Sequence, residues 1–184
     1  MRFVFAATGA SGAIYLQRLL NGVAAGGHEI HLVMSGYARQ VVNEELAGNL
    51  EVPAGTIEHS DKSMNAPFAS GSTKFDAMVI VPCSMGTVGR IAAGTSESLI
   101  LRTADVFLKE GRKLILVPRE TPWNLIHARN VVTVMEAGAS VLPAMPSFYS
   151  RPRNIEELVD TVVWRILDQI GVEAENACRW QEGG

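Results

Sequence analysis

Two short turns hold most of the small, hydroxyl-bearing residues that could handle an anion. The first is Thr8-Gly9-Ala10-Ser11-Gly12, directly after an apolar run from Phe3. The second is Cys83-Ser84-Met85-Gly86-Thr87, directly after the apolar run Asp76–Pro82. Where a strand turns into a helix, the first helical N–H groups lack a partner and, with the helix dipole, attract negative charge. Gly9 and Gly12 allow close backbone approach, and Ser11 adds a hydroxyl donor. The chemistry that fits is a phosphate seat. An ordinary βα turn, with glycines for geometry alone, fits the first stretch equally well, and Ser84 and Thr87 also read as helix caps. The pattern GxxG is not the dinucleotide fingerprint, and no acidic ribose-binding residue is well placed after the first unit. A mononucleotide such as FMN, with Ser35 between the two turns, therefore fits better than a dinucleotide.

Charged residues suggest a second kind of chemistry. Arg119-Glu120 follows the apolar run Leu114–Pro118. An arginine there can bind an anion and a glutamate can move a proton; a surface ion pair is the plainer reading. Arg102 and Lys109 share a helix face only loosely and read as solvated. Tyr149 lies in a proline-bounded loop, where it closes over a ligand or packs. Arg165, between Trp164 and Ile166, needs an anionic substrate or a carboxylate across an interface. Cys83 reads as a packed thiol, since no His or Lys adjoins it. The histidines at 28, 31, 59 and 127 have no metal-ligand spacing, so no metal is expected.

The elements that must position these residues alternate. Strands are expected over Phe3–Ala7, Ile30–Met34, Asp76–Pro82, Arg112–Pro118 and Ser140–Leu142, with a possible short one near Thr56–His59. Helices are expected over Ala13–Ala25, Tyr37–Leu46, Val88–Ala93, Ser96–Lys109, Trp123–Ala137 and Ile155–Ile170, the last capped by Asn154. Residues 48–75 read as a long connection across one sheet edge, and 171–184 as a tail. The pattern predicts one α/β domain over 1–184: a three-layer α/β/α, Rossmann-like (flavodoxin-like) parallel sheet. Ligands in such folds bind beyond the carboxyl ends of the strands, where Thr8–Gly12, Ser35, Cys83–Thr87 and Arg119-Glu120 converge. At 184 residues with 47% hydrophobic content, the chain can build one sizeable core. A net charge of −3 argues against nucleic acid or anionic membrane as partners. The two cysteines make no disulfide framework and no apolar run is long enough to span a bilayer, so a cytoplasmic protein is expected. A mean hydropathy of +0.14 hints at surface buried between subunits.

Several stretches together resemble one family. They are TGASG at 8–12, APFASGS at 66–72, PCSMGT at 82–87, ADVFLKEGRKLILVPRE at 104–120, PSFYSRP at 146–152 and ELVD at 157–160. Over residues 3 to about 170 the chain resembles the UbiX-like flavin prenyltransferases, also described as small subunits of aromatic or phenylacrylic acid decarboxylases. The resemblance implies metal-independent transfer of a dimethylallyl group from dimethylallyl phosphate to N5 and C6 of reduced FMN. It implies FMN contacts at Gly9, Ala10, Ser11, Ser35, Ser84, Met85, Gly86, Thr87 and Arg119. It places the prenyl phosphate on Lys109, Arg119, Tyr149 and Arg165, with Arg102 and Glu120 completing the polar wall. Glu120, with Ser11, is the implied proton carrier. It further implies a homododecamer with sites at subunit junctions, where Arg102 and Lys109 serve either their own chain's site or a neighbour's, and a product passed to a UbiD-like decarboxylase. The alternatives are an FMN-dependent aromatic acid decarboxylase or its non-catalytic flavin-carrying subunit. Many relatives carry a tryptophan just before the APPASGS-type stretch; here Met64 and Phe68 are the candidates to stand in for it, with Trp180 of the tail a weaker one.

Overall fold

The computed structural model describes residues 1–47, 50–174 and 177. Each long apolar run forms a strand and each 3.6-periodic segment a helix. In chain order these are β1 (Arg2–Ala7), α1 (Ala13–Ala24), β2 (Glu29–Met34), α2 (Gly36–Glu45), β3 (Ile57–Ser60), β4 (Ala77–Cys83), α3 (Met85–Ala92), α4 (Leu99–Lys109), β5 (Lys113–Pro118), α5 (Leu125–Glu136), β6 (Ser140–Val141) and α6 (Ile155–Ile170). All pairings are parallel, in the order β3-β2-β1-β4-β5-β6. Without the short edge strand β3, this is the flavodoxin-like order. The order reverses between β1 and β4, so the crevice beyond their carboxyl ends is where a ligand can enter.

The sheet is buried on both faces because its strands alternate sides with period two. Phe3, Phe5 and Ala7 of β1 pack with Leu16, Leu19 and Leu20 of α1 and with Val162, Val163 and Ile166 of α6. Val4 and Ala6 face the other way, towards Val88 of α3 and Leu99, Ala104 and Phe107 of α4. Burying each such large side chain contributes about 1.5–3 kcal/mol. Arg18 of α1 closes the first layer with a 2.5 Å ion pair to Asp160 of α6.

Helix starts follow side-chain caps, which moves several boundaries from their expected places. Ser84 accepts from Thr87 N, so α3 begins at Met85, not Val88. Ser98 accepts from Leu101 N, so α4 begins at Leu99, not Ser96. Asn124 accepts from His127 N, leaving Trp123 outside α5. Asn154 caps α6 as expected. The tail is described only to Ala174 and at Ala177, so Cys178 and Trp180 lie outside the described residues.

The edge of the sheet carries a polar relay. Arg2 grips Glu29 with two bonds, Nη2 to Oε1 at 2.7 Å and Nε to Oε2 at 2.9 Å. Oε1 also meets His31 Nε2 at 2.8 Å, and His31 Nδ1 meets His59 Nε2 of β3 at 2.8 Å. The edges of Phe68 and Phe75 close over the buried His31 ring. Phe68 is thus fully buried in the core beneath the 3₁₀ turn Pro67–Ala69, and cannot serve as the aromatic wall expected of it. The bonds from Arg2 and His31 pull the Glu29 carboxyl down to about 2 from an ordinary 4.5. A carboxylate with a depressed folded pKa stabilises the fold above its unfolded pKa, and that contribution disappears as pH falls through the folded value. Glu29→Gln should therefore melt below the wild type above pH 4.5, with the two curves converging towards pH 2. A gap in melting temperature that stays constant from pH 7 to pH 2 would contradict this account.

Candidate functional site

The site is built from strand exits. At the reversal point β1 and β4 stay joined past their ends: Thr8 N donates to Pro82 O at 3.0 Å, and Ser84 N donates to Thr8 Oγ1 at 2.8 Å. Ser84 Oγ and Thr87 Oγ1 lie 3.0 Å apart. Three hydroxyls from two strand exits thus form one cluster. On the other side Ser35 N donates to Ala7 O, and Ser35 Oγ accepts from Ala38 N at 3.1 Å to cap α2. Capping and ligand binding are not exclusive here. A capping oxygen accepts an N–H and keeps its own O–H to donate. Ser84, Thr87 and Ser35 all border the same cavity of about 430 Å³, together with Thr8, Gly9 and Gly36.

Gly9 shows why the first turn needs glycine. A Cβ there would lie 2.6 Å from Tyr37 Cβ, so the backbone of the turn runs directly against the start of α2. Gly12 has φ of +114°, a conformation that L side chains rarely adopt. Ala10 and Met85 are buried.

The N-terminus of α1, expected as a phosphate seat, already holds an anion from the chain itself. Glu45, on the last turn of α2, accepts from Gly12 N at 2.8 Å and Ala13 N at 2.7 Å. Burial pushes its carboxyl up, but bonds from Ser11, Ala13 and Gly12 and the charge of Arg119 outweigh this, and the net shift is downward. Arg119, at the exit of β5, donates Nε to Ser11 O at 3.0 Å. Ser11, Glu45 and Arg119 are therefore one cluster at the exits of β1 and β5, and none of the three lines the cavity itself. Glu45 escaped the sequence reading because it lies 33 residues from Gly12 on a polar helix face. A helix N-cap with no side-chain oxygen of its own, as at Gly12, was the available clue.

The remaining candidates divide. The Tyr149 loop is anchored near the site, through Ala144 N to Pro118 O at 2.9 Å and Ser147 N to Thr161 Oγ1 at 3.0 Å. Glu120 is exposed and turns back on its own loop, accepting from Thr121 N. Arg102 holds the Pro67–Ala69 turn through Ala69 O and pairs with Asp105 at 2.9 Å. Lys109 ends α4 at the opposite edge of the sheet, paired with Glu110. At 1.5 Å per residue it lies about 15 Å along α4 from Leu99. Arg165 is exposed in the second half of α6. Within one chain, then, Arg102, Lys109 and Arg165 are not gathered with the cavity. Cys83 is fully buried, and burial pushes its thiol up to about 12, against smaller opposing influences from Thr8 and Arg90. A thiol at that value is not a nucleophile at neutral pH.

Comparison with known proteins gives the arrangement its lineage. The flavoprotein family model matches residues 1–167. The flavin prenyltransferase UbiX of Methanocaldococcus jannaschii is 42% identical over 182 residues, covering 98% of each chain. A crystal structure of a UbiX protein (AnUbiX, PadA1) in complex with FMN and dimethylallyl pyrophosphate superposes with a TM-score of 0.91 at 40% identity, covering 98% of this chain and 97% of that one. A dodecameric FMN-dependent UbiX-like decarboxylase from Escherichia coli O157:H7 superposes with a TM-score of 0.90 at 40% identity, over 98% of this chain and 100% of that one. With this identity along its whole length and so close a superposition, the chain belongs to the flavoprotein family and, within it, to the UbiX-like flavin prenyltransferases.

Proposed function

We propose that the protein transfers a dimethylallyl group from dimethylallyl phosphate to FMN. The observation that carries this is that one end of the parallel sheet holds both a hydroxyl-lined cavity and the Ser11–Glu45–Arg119 cluster. The residues present fit FMN. Thr8, Ser84, Thr87 and Ser35 offer hydroxyls to a phosphate, and the side-chain-free Gly9 and Gly36 border the same space. Ala10, Met85 and Gly86 contribute backbone, and Arg119 stands over the first turn. Reduced FMN, when bound, supplies the N5 and C6 positions that take the prenyl group as phosphate leaves.

The chain's own groups bind, orient and move a proton. Arg119 and Tyr149 lie on loops beside the crevice and hold the prenyl phosphate, with Arg165 and Lys109 adding positive charge. Guanidinium, ammonium and phenol donors stabilise the charge that develops on the departing phosphate. Glu45, ionised, takes up a proton through the Ser11 hydroxyl next to the first turn. Glu120 and Arg102 complete the polar wall at a subunit junction. The assembly is a homododecamer, like the relative from E. coli. Its support in this chain is α5, whose only fully buried residue is Val134 while Leu125 and Ile126 are 64% and 66% exposed. The product serves a UbiD-like decarboxylase in the cytoplasm.

Anaerobic incubation with reduced FMN and dimethylallyl phosphate, followed by mass spectrometry of the released flavin, tests the reading. A gain of one prenyl unit is expected. Unmodified flavin, with turnover of an aromatic acid by the protein alone, would move the assignment to a decarboxylase.

A further inference from the structure

The outer half of the cavity carries charge that the phosphate reading has not used. Its lining includes three charged side chains: Asp61, Arg90 and Glu97. Asp61 is committed to capping α4: its carbonyl accepts from Leu99 N and its Oδ1 from Ile100 N, at 2.8 and 2.9 Å. Among the described residues the Arg90 and Glu97 side chains pair only with each other, Nη1 to Oε1 at 3.7 Å, and both are more than half exposed. Such a pair in water is weak. Arg90 lies on α3 three residues beyond Thr87, which lies three beyond Ser84, and all three border the cavity. Glu97 lies on the turn from α3 to α4 that starts at Gly94, whose φ is +70°.

A phosphate among these hydroxyls meets two carboxylates in the same wall. It needs a cation, and Arg90 is the one among the described lining residues. A guanidinium–phosphate contact is charge-assisted and can be bidentate, so it outcompetes a long exposed pair with one carboxylate. We infer that Arg90 is the counter-charge for the phosphate of the flavin mononucleotide, and that Glu97 holds Arg90 until that phosphate displaces it. This rests on the proposed flavin-binding function and adds to it a residue that sets preference for the phosphorylated flavin.

The test is a pair of fluorescence titrations, with FMN and with riboflavin, on the full-length protein. Wild type should prefer FMN. In Arg90→Ala the FMN-to-riboflavin affinity ratio should fall at least about tenfold, with riboflavin affinity changed less than about twofold. Arg90→Lys should fall between the two. Glu97→Gln should tighten FMN by about two- to fivefold and leave riboflavin unchanged, because it removes both the competitor and a like charge. Since this variant gains affinity, misfolding cannot imitate it. An unchanged ratio in Arg90→Ala overturns the assignment. So does a loss confined to dimethylallyl phosphate binding by the FMN-loaded protein, which would put Arg90 on the donor's phosphate. Failure of the wild type to bind either flavin overturns the flavin reading itself, and is distinct from both.

Discussion

Glu45→Gln is expected to cut prenyl transfer about 10²- to 10⁴-fold while the protein still folds and still binds flavin. The carboxylate sits on Gly12 N and Ala13 N, is bonded by Ser11 and feels the charge of Arg119. Those contacts keep it ionised below its ordinary value of 4.5, so at neutral pH it can accept a proton through the Ser11 hydroxyl. An amide of the same size still accepts from a backbone N–H but cannot take up a proton. Losing part of the cap should cost about 1 kcal/mol, which a modest fall in melting temperature would show. The two roles separate cleanly. A capping role alone lowers stability and leaves turnover near wild type, whereas the proton role removes turnover with the fold intact. Single-turnover product formation under anaerobic conditions, with flavin binding measured in parallel, makes the distinction. Glu120→Gln is the companion measurement. If it abolishes transfer and Glu45→Gln does not, the proton belongs to Glu120.

What could be read from the chain alone follows the range of the interactions involved. The continuous apolar run Met78–Val81 identifies a central strand because burial on both faces leaves no polar position. The strand exits at Thr8, Ser35, Ser84 and Arg119 could be placed on one edge because parallel topology sends every carboxyl end the same way. Local capping was half legible. Ser98 and Asn124 are good caps, but nothing local says which of several polar residues before a helix will accept the N–H. Contacts made across many residues were not legible at all. Glu45 reaches Gly12 only once α2 has docked beside α1. His31 and His59, apart by 28 residues, become a bonded pair only when β3 adds to the edge of the sheet. Phe68 looked available to a ligand because its neighbours are small and polar. The ring is instead drawn under the turn by Phe75 and the two imidazoles. Arg90 drew no reading from the sequence, because a cavity wall assembled from α2, α3, α4 and four strand exits leaves no signature in any single segment.

Mixing two inactive variants is expected to restore activity, and this is the strongest test of a site shared between subunits. Lys109 ends α4 at the sheet edge opposite the crevice, so it cannot reach its own chain's Ser11–Glu45–Arg119 cluster. If it binds the prenyl phosphate, it does so in a neighbour. Lys109→Ala and Glu45→Gln should each be nearly inactive as homo-oligomers. In a co-expressed equal mixture, a site works when its Glu45 comes from one variant and its Lys109 from the other, which random assembly allows at about a quarter of sites. If both residues served one chain, every site would carry one defect and the mixture would stay inactive. The restored activity should also depend on the apolar face of α5. Ile126 is exposed, with Leu125, Val132 and Met135 on the same helix and Phe148 and Ile155 also uncovered. Ile126→Asp places a charge that must be desolvated on assembly, a cost of several kcal/mol. That variant should run as a smaller species in light scattering, keep its fold by circular dichroism and bind flavin, yet fail to transfer the prenyl group, because a dissociated chain has the flavin seat without the neighbour's lysine.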